Sequence, residues 1–244
     1  MKKHLLSLLM VVMFSLNSFA QLPMDPNVRY GKLRNGMTYY IRHNEKPDNR
    51  ADFYIAQKVG SVLEEENQRG LAHFLEHMAF NGTTNLPGMT LRNYLQSRGV
   101  KFGENLNAYT AIDETVYMVT NVQTDLPGLV DTCLLILHDW SQFIALQPEE
   151  IDSERGVIKE ELRTRDGASL RAQNDMIRNL FKGTIYEQRN LIGYLDGLES
   201  FDQQALVNFY HKWYRPELQT IVVVGDIDVD QIEAKIKTLM ADVA

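Results

Sequence analysis

Three polar residues within one short segment combine the residue types and the spacing of a metal site. His73, Glu76 and His77 occupy positions i, i+3 and i+4, and a helix, which turns once in about 3.6 residues, presents all three on one face. Two neutral imidazoles at this spacing can bind one divalent cation, and nitrogen ligands suit zinc. A neighbouring carboxylate can accept a proton from water that the cation polarises. The segment therefore predicts a hydrolytic zinc site with Glu76 as general base. The competing interpretation is a half-buried helix whose histidines cap, pack or face solvent.

A tetrahedral zinc site needs a further protein ligand, and glutamates on a later predicted helix can supply it. This helix begins at Pro148 and carries Glu154, Glu160 and Glu161. Glu154 and Glu161 are seven residues apart, so they project from one face, whereas Glu160 lies about 100° away from Glu161. The spacing alone does not choose between Glu154 and Glu161 as the ligand. Two carboxylates on an exposed helix face are also an ordinary surface feature.

The elements that must position these residues are predicted by periodicity and turn signals. Asn35 and Gly36 form a strong hairpin signal between two short strands. Apolar residues at helical spacing occupy residues 126–146, and the polar helix from Pro148 extends to about residue 181, with Gly167 as a candidate break. Strands, then helices, then one late strand predict an α+β fold in which a mostly antiparallel sheet packs against helices. The predicted strands are residues 28–33, 37–42, 51–59, 106–110, 115–120 and 220–224, and the other predicted helices are residues 91–98, 201–214 and one that begins at Asp228.

The first 20 residues have the pattern of a secretory signal peptide. Lys2 and Lys3 give a basic start, an apolar run follows, and Ser18 and Ala20 are small residues at the two positions that a signal peptidase reads. We therefore expect cleavage before Gln21 and a periplasmic or secreted protein, with a retained N-terminal anchor as the alternative. No membrane association is expected after cleavage.

Composition argues against several functional classes. The 244-residue chain has a formal net charge of −7, and removal of residues 1–20 takes away two lysines and no acids, which makes it −9. An acidic surface does not favour nucleic acid as a partner. Cys133 is the single cysteine, so no internal disulfide can form. It lies in an apolar run, which indicates a buried structural thiol. Residues 21–244 contain no linker-like tract and suffice for one core, so we predict one domain.

Three segments of the chain resemble the pitrilysin-like (inverzincin, M16) zinc metallopeptidases, which include insulin-degrading enzyme and the mitochondrial processing peptidase. They are residues 60–83, GSVLEEENQRGLAHFLEHMAFNGT, residues 105–119, NLNAYTAIDETVYMV, and residues 154–162, ERGVIKEEL. The resemblance implies a metallohydrolase domain of the LuxS/MPP type and identifies residues 21–244 as the N-terminal zinc peptidase domain. It also implies one zinc ion per domain.

The resemblance also implies roles for individual residues. In the family the second glutamate of a Glu-x6-Glu pair ligates zinc and the first assists, which makes Glu161 the ligand and Glu154 the helper. The usual interval from the second histidine to the ligand, counted from His77, lands instead on Glu154, which therefore remains the alternative ligand. Asn107, Ala108 and Tyr109 resemble the edge strand to which substrate adds; the competing interpretation is a well-packed strand.

For function, the resemblance implies hydrolysis of peptide bonds in peptides or unfolded polypeptides. Active members pair this domain with a second, similar domain, which we expect to be absent from this chain. We therefore expect a second domain or subunit as partner and weak hydrolysis by the isolated chain. A catalytically silent scaffold subunit and a metal-binding module without hydrolysis are the alternatives.

Overall fold

A six-stranded sheet organises the protein, in the order β1-β2-β6-β3-β5-β4. Neighbouring strands are antiparallel except β2 and β6, which are parallel. The α+β fold with a mostly antiparallel sheet is thus confirmed. The strands are β1 (Val28–Lys32), β2 (Thr38–His43), β3 (Arg50–Gln57), β4 (Leu106–Thr110), β5 (Thr115–Gln123) and β6 (Gln219–Gly225).

The computed structural model describes residues 23–189, 191–193 and 195–244. The predicted signal peptide, residues 1–20, lies outside the described residues. Within them, no helix is long and apolar enough to cross a membrane.

Local sequence signals explain the central strands. The β1–β2 hairpin turns at Gly36, whose φ of +96° is readily available only to glycine. In β3, buried and partly exposed residues alternate along all eight positions, with Phe53 and Ile55 fully buried. β6 has the same alternation and lies between β2 and β3. One face of the sheet is therefore apolar and faces the helices.

Eight α-helices in the described part of the chain follow or interrupt the strands. The predicted long helix after Pro148 is two helices, because the chain leaves helical geometry at Asp166 and Gly167. The predicted helix of residues 126–146 is shorter, since Gly128 with a φ of +77° precedes its first turn. The helices are α1 (Leu71–Met78), α2 (Thr90–Ser97), α3 (Leu129–Gln142), α4 (Pro148–Arg165), α5 (Ala168–Leu180), α6 (Leu195–Ser200), α7 (Gln203–Trp213) and α8 (Val229–Leu239).

The core lies between the sheet and helices α1, α3, α7 and α8. Trp140 of α3 is fully buried and its indole N–H donates to the carbonyl of Ala79, directly after α1, at 3.0 Å. Cys133 is buried, and burial raises the pKa of its thiol to about 12, as a structural thiol requires. The Trp140 hydrogen bond thus ties α3 to the C-terminal end of α1.

Candidate metal and active site

The start of α1 is fixed by a buried carboxylate from six residues upstream. Gly70 precedes the helix with a φ of +90°, and no side chain of its own caps the first turn. Instead Glu64 accepts hydrogen bonds from the backbone N–H groups of Gly70 at 3.0 Å and Ala72 at 2.9 Å. These donors have no partner inside the helix, so Glu64 acts as its N-cap.

The segment at residues 191–193 closes against the same helix start. A Cβ atom on Gly70 would lie 2.5 Å from the carbonyl oxygen of Ile192, so only glycine permits this approach. Leu191 and Ile192 line the cleft in front of α1. The glycine thus brings the wall of the cleft close to the histidines.

The two histidines of α1 and Glu161 of α4 come together around one point. Oε2 of Glu161 lies 3.6 Å from Nε2 of His73 and 3.3 Å from Nε2 of His77. The ligand atoms of a tetrahedral zinc ion, with bonds of about 2.0–2.2 Å, lie about 3.3–3.6 Å from one another. The donor set and its spacing therefore fit zinc. Among the described residues this is the single group of three or more His, Cys, Asp or Glu side chains whose ligand atoms all lie within 4.8 Å of one another.

The electrostatics of the three groups suit a cation. Burial lowers the pKa of His73 to about 4, so its imidazole is neutral at pH 7. Burial also opposes the charge on His77, but hydrogen bonds with Glu154 and Glu161 outweigh it and raise the pKa of His77 to about 9. The hydrogen bond with His77 lowers the pKa of Glu161, which is ionised at neutral pH. The carboxylates thus favour a positive charge at this point, and either a proton or a divalent cation can supply it.

Glu154 also reaches the site, but it contacts the other nitrogen of His77. Nδ1 of His77 donates to Oε1 of Glu154 at 2.8 Å, and the side-chain amide of Asn81 donates to Oε2 at 2.6 Å. Burial raises the pKa of Glu154, but these two hydrogen bonds outweigh it and lower that pKa. A carboxylate on Nδ1 orients the ring and leaves Nε2 for a metal. The structure thus places both glutamates of α4 at the histidines, in different positions.

Glu76 lies on the same face of α1 and is 9% exposed. The hydroxyl of Thr110, at the end of β4, donates to its Oε2 at 2.6 Å. Burial raises the pKa of Glu76, although the Thr110 hydrogen bond opposes this. A buried carboxylate with a raised pKa beside a cation site has the properties of a general base.

β4 forms an edge of the sheet next to these residues, as it pairs only with β5 among the described strands. At Leu106 the outer edge is covered, because its N–H and carbonyl bond to Lys101 and Gly103. The alternating antiparallel pattern then leaves the backbone groups of Ala108 and Thr110 facing away from β5. The open part of the edge thus begins at Ala108.

The side chains of this edge have partners of their own. The side-chain oxygen of Asn107 accepts the N–H of Ala108 at 3.0 Å, and the hydroxyl of Tyr109 donates to Glu114 at 2.8 Å. The edge and the histidines line one cleft of about 530 Å³, which also contains Arg92 and Phe102. All the residues that the sequence suggested for catalysis, metal binding and substrate binding therefore line one cleft.

The sequence analysis did not predict the carboxylate that caps α1. Glu64, the first of three consecutive glutamates, is 3% exposed and caps α1. The absence of a Ser, Thr, Asp or Asn cap before α1 was the available signal. His138 is not part of this site: it lies between Asp139 at 3.0 Å and Asp242 at 2.9 Å, outside the metal cleft.

Proteins of similar sequence and fold include proteases. A "Probable zinc protease PqqL" of Haemophilus influenzae is 36% identical over 216 residues, 88% of this chain and 23% of that protein. The solved first half of the periplasmic protease PqqL from Escherichia coli superposes with a TM-score of 0.87 at 36% identity and covers 92% of this chain and 48% of that chain. The ferredoxin protease FusC, solved with Arabidopsis ferredoxin, has a TM-score of 0.82 at 28% identity and covers 88% of this chain and 24% of that chain.

The chain spans about a quarter of the length of the curated relatives it matches. Residues 200–244 match the family described as "Peptidase M16 inactive domain". Residues 39–191, which include every residue of the candidate site, match "Insulinase (Peptidase family M16)". The chain therefore belongs to peptidase family M16.

Proposed function

We propose that this chain is the zinc-binding domain of a metalloendopeptidase, with residues 21–244 as the folded unit. The observation that carries the proposal is the position of Glu161 Oε2, within 3.6 Å of Nε2 of both His73 and His77. Family membership and relatives described as zinc proteases support it. His73, His77 and Glu161 would hold the ion, and Glu154 would orient the ring of His77.

The residues around this set would divide the work of hydrolysis. Zinc, when bound, supplies a Lewis acid that polarises the peptide carbonyl and acidifies water. The carboxylate of Glu76 accepts the proton of the attacking water and returns it to the leaving amine. Thr110 holds Glu76 in place through its 2.6 Å hydrogen bond. The raised pKa of Glu76 brings it closer to neutrality, where a base can also act as an acid.

Asn107, Ala108 and Tyr109 would form the binding edge for substrate. The outward backbone groups of Ala108 and Thr110 can pair with an extended peptide, which adds a strand to the sheet. Pairing through the backbone reads little sequence, so peptides or unfolded polypeptides are the proposed substrate class. The N–H of Ala108 must leave the side-chain oxygen of Asn107 to make this bond.

A signal peptide and a partner complete the proposal. Residues 1–20 have the signal-peptide pattern, and the solved PqqL is a periplasmic protease, so we propose export to the periplasm or the medium. N-terminal sequencing of the secreted form should begin at Gln21. Because the chain covers only 48% of the solved first half of PqqL, we propose a second M16-like domain or subunit as partner.

The test is zinc content together with cleavage of a fluorescence-quenched peptide, with and without a supplied C-terminal half. We expect one zinc per chain and cleavage that increases when the second half is added. The Glu76→Gln variant should retain zinc and lose turnover. Zinc without cleavage under either condition would favour the non-catalytic scaffold, and loss of zinc in Glu76→Gln would make Glu76 a ligand.

A further inference from the structure

An arginine and two aromatic rings form one end of the cleft, away from the metal set. The guanidinium carbon of Arg92, on α2, lies 4.0 Å from the centre of the Phe102 ring. Phe102 is 42% exposed and packs edge-on against Phe80, with ring centres 5.4 Å apart. All three residues line the cleft. A guanidinium held over an aromatic ring by a cation–π contact can still donate from its terminal NH2 groups to a ligand.

This guanidinium has no carboxylate partner among the described residues. Its polar contact is a weak one with the sulfur of Met89, at 4.0 Å, and its buried Nε has no hydrogen-bond partner. Glu154 also lines the cleft, but its two oxygens already accept from His77 and Asn81. The other cleft arginine, Arg165, by contrast pairs with Glu161 at 2.6 Å. The charge of Arg92 contributes to the lowered pKa of Glu154, but among the described residues Arg92 forms no ion pair or hydrogen bond with a carboxylate, so its guanidinium remains available to a ligand in the cleft.

The position of this pair relative to β4 sets its distance from the reaction. Phe102 forms a bridge with Leu106 at the first residue of β4, whereas Thr110, at the last residue, bonds to Glu76. Four residues of strand span about 13 Å. A peptide that lies along β4 thus reaches the Arg92–Phe102 pair a few residues away from its scissile bond, which would lie next to Glu76.

We infer that Arg92, stacked on Phe102, is a specificity-determining residue that binds a carboxylate of the substrate a few residues from the scissile bond. The planar fork of arginine matches a carboxylate and can donate two parallel hydrogen bonds to it. An aspartate or glutamate side chain and a C-terminal carboxylate share this chemistry. The inference rests on the proposed function, because it assigns one end of the same cleft.

The test uses pairs of quenched peptides that differ by Glu or Gln at one position on either side of the cleaved bond. A second pair differs by a free or an amidated C-terminus. For the zinc-loaded chain, we expect kcat/KM to be about tenfold higher for the acidic member at one position. If only the C-terminal pair shows the difference, the carboxylate is the terminal one.

Variants of Arg92 then test whether this residue causes the preference for the acidic peptide. Arg92→Gln should reduce the ratio to about one, and Arg92→Lys should retain part of it. Arg98, which lies over Tyr94 at 5.4 Å and outside the cleft, provides the matched control. Arg98→Gln should keep the full ratio, which separates a local contact from a change in net charge.

Two results would overturn the inference. One is equal kcat/KM for all acidic and neutral pairs in the unmodified chain, and the other is an unchanged preference in Arg92→Gln with normal zinc content. If no peptide is cleaved, the proposed reaction fails and fluorescence anisotropy of the same peptides decides the inference separately. An acidic preference in binding that Arg92→Gln removes would support it, and equal binding of all peptides would refute it.

Discussion

Replacement of the two glutamates of α4 distinguishes a metal ligand from a residue that orients one. In Glu161→Gln the carboxylate next to both Nε2 atoms becomes a neutral amide of the same size. In Glu154→Gln the change occurs at the far nitrogen of His77, where Glu154 accepts at 2.8 Å. Both variants remove one negative charge from the same helix face, so a difference between them reports position.

The structure sets the expected magnitudes. Loss of a partner that orients a ligand costs about 10–100-fold in metal affinity, or about 1.4–2.7 kcal/mol, which is the expectation for Glu154→Gln. Glu161 lies 3.3 Å and 3.6 Å from the two Nε2 atoms and would be one of three protein ligands. We therefore expect Glu161→Gln to weaken zinc binding by more than about 100-fold, beyond the range of an orienting residue.

The assay is a competition titration of zinc against a fluorescent chelator at fixed pH. Glu160→Gln is the matched control, because Glu160 is adjacent on α4, exposed, and paired with Arg163 rather than with the histidines. It should leave zinc affinity unchanged. A larger loss in Glu154→Gln than in Glu161→Gln would refute the assignment and make Glu154 the ligand.

The remaining predictions concern the start of α1. Glu64→Ala leaves the N–H groups of Gly70 and Ala72 without their acceptor, so urea denaturation should show a free energy of unfolding lower by about 2–4 kcal/mol; an unchanged midpoint would contradict the cap. Burial raises the pKa of Glu64 to about 7, so the Glu64 carboxyl group binds a proton more tightly in the folded chain than in the unfolded chain. The free energy of unfolding should therefore fall as pH rises from about 4.5 to 7, relative to Glu64→Gln; parallel pH profiles of the two proteins would refute this. In Gly70→Ala the new methyl group would lie 2.5 Å from the carbonyl oxygen of Ile192, so this variant should have a lower unfolding temperature and a lower zinc affinity. Gly99 has a similar φ of +84° but open space around it, so Gly99→Ala controls for backbone strain alone.

Local signals were enough to predict most of the elements and the residues on α1. The hairpin at Gly36 and the three side chains of α1 depend on short-range spacing, which survives in any context. The sequence makes Gly167 a candidate helix break but does not require one. The same polar pattern continues across this position, and glycine disfavours a helix by only about 1 kcal/mol.

Long-range geometry explains what the sequence could not predict. The parallel pairing of β2 with β6 joins residues about 180 positions apart in the chain, and no local pattern encodes that pairing. The choice between Glu154 and Glu161 depends on which nitrogen of His77 each one reaches, and the two share a helix face. Glu64 and Arg92 acquire their roles from contacts with Ala72 and Phe102, which spacing along the chain does not specify.

The most direct measurement is an anomalous-difference map at the zinc edge from crystals of the zinc-loaded chain. We expect one peak about 2.0–2.2 Å from Nε2 of His73, Nε2 of His77 and a carboxylate oxygen of Glu161, with Glu154 still on Nδ1 of His77. A peak bonded to Glu154 instead of Glu161, or no peak at the two histidines, would contradict the proposed metal centre.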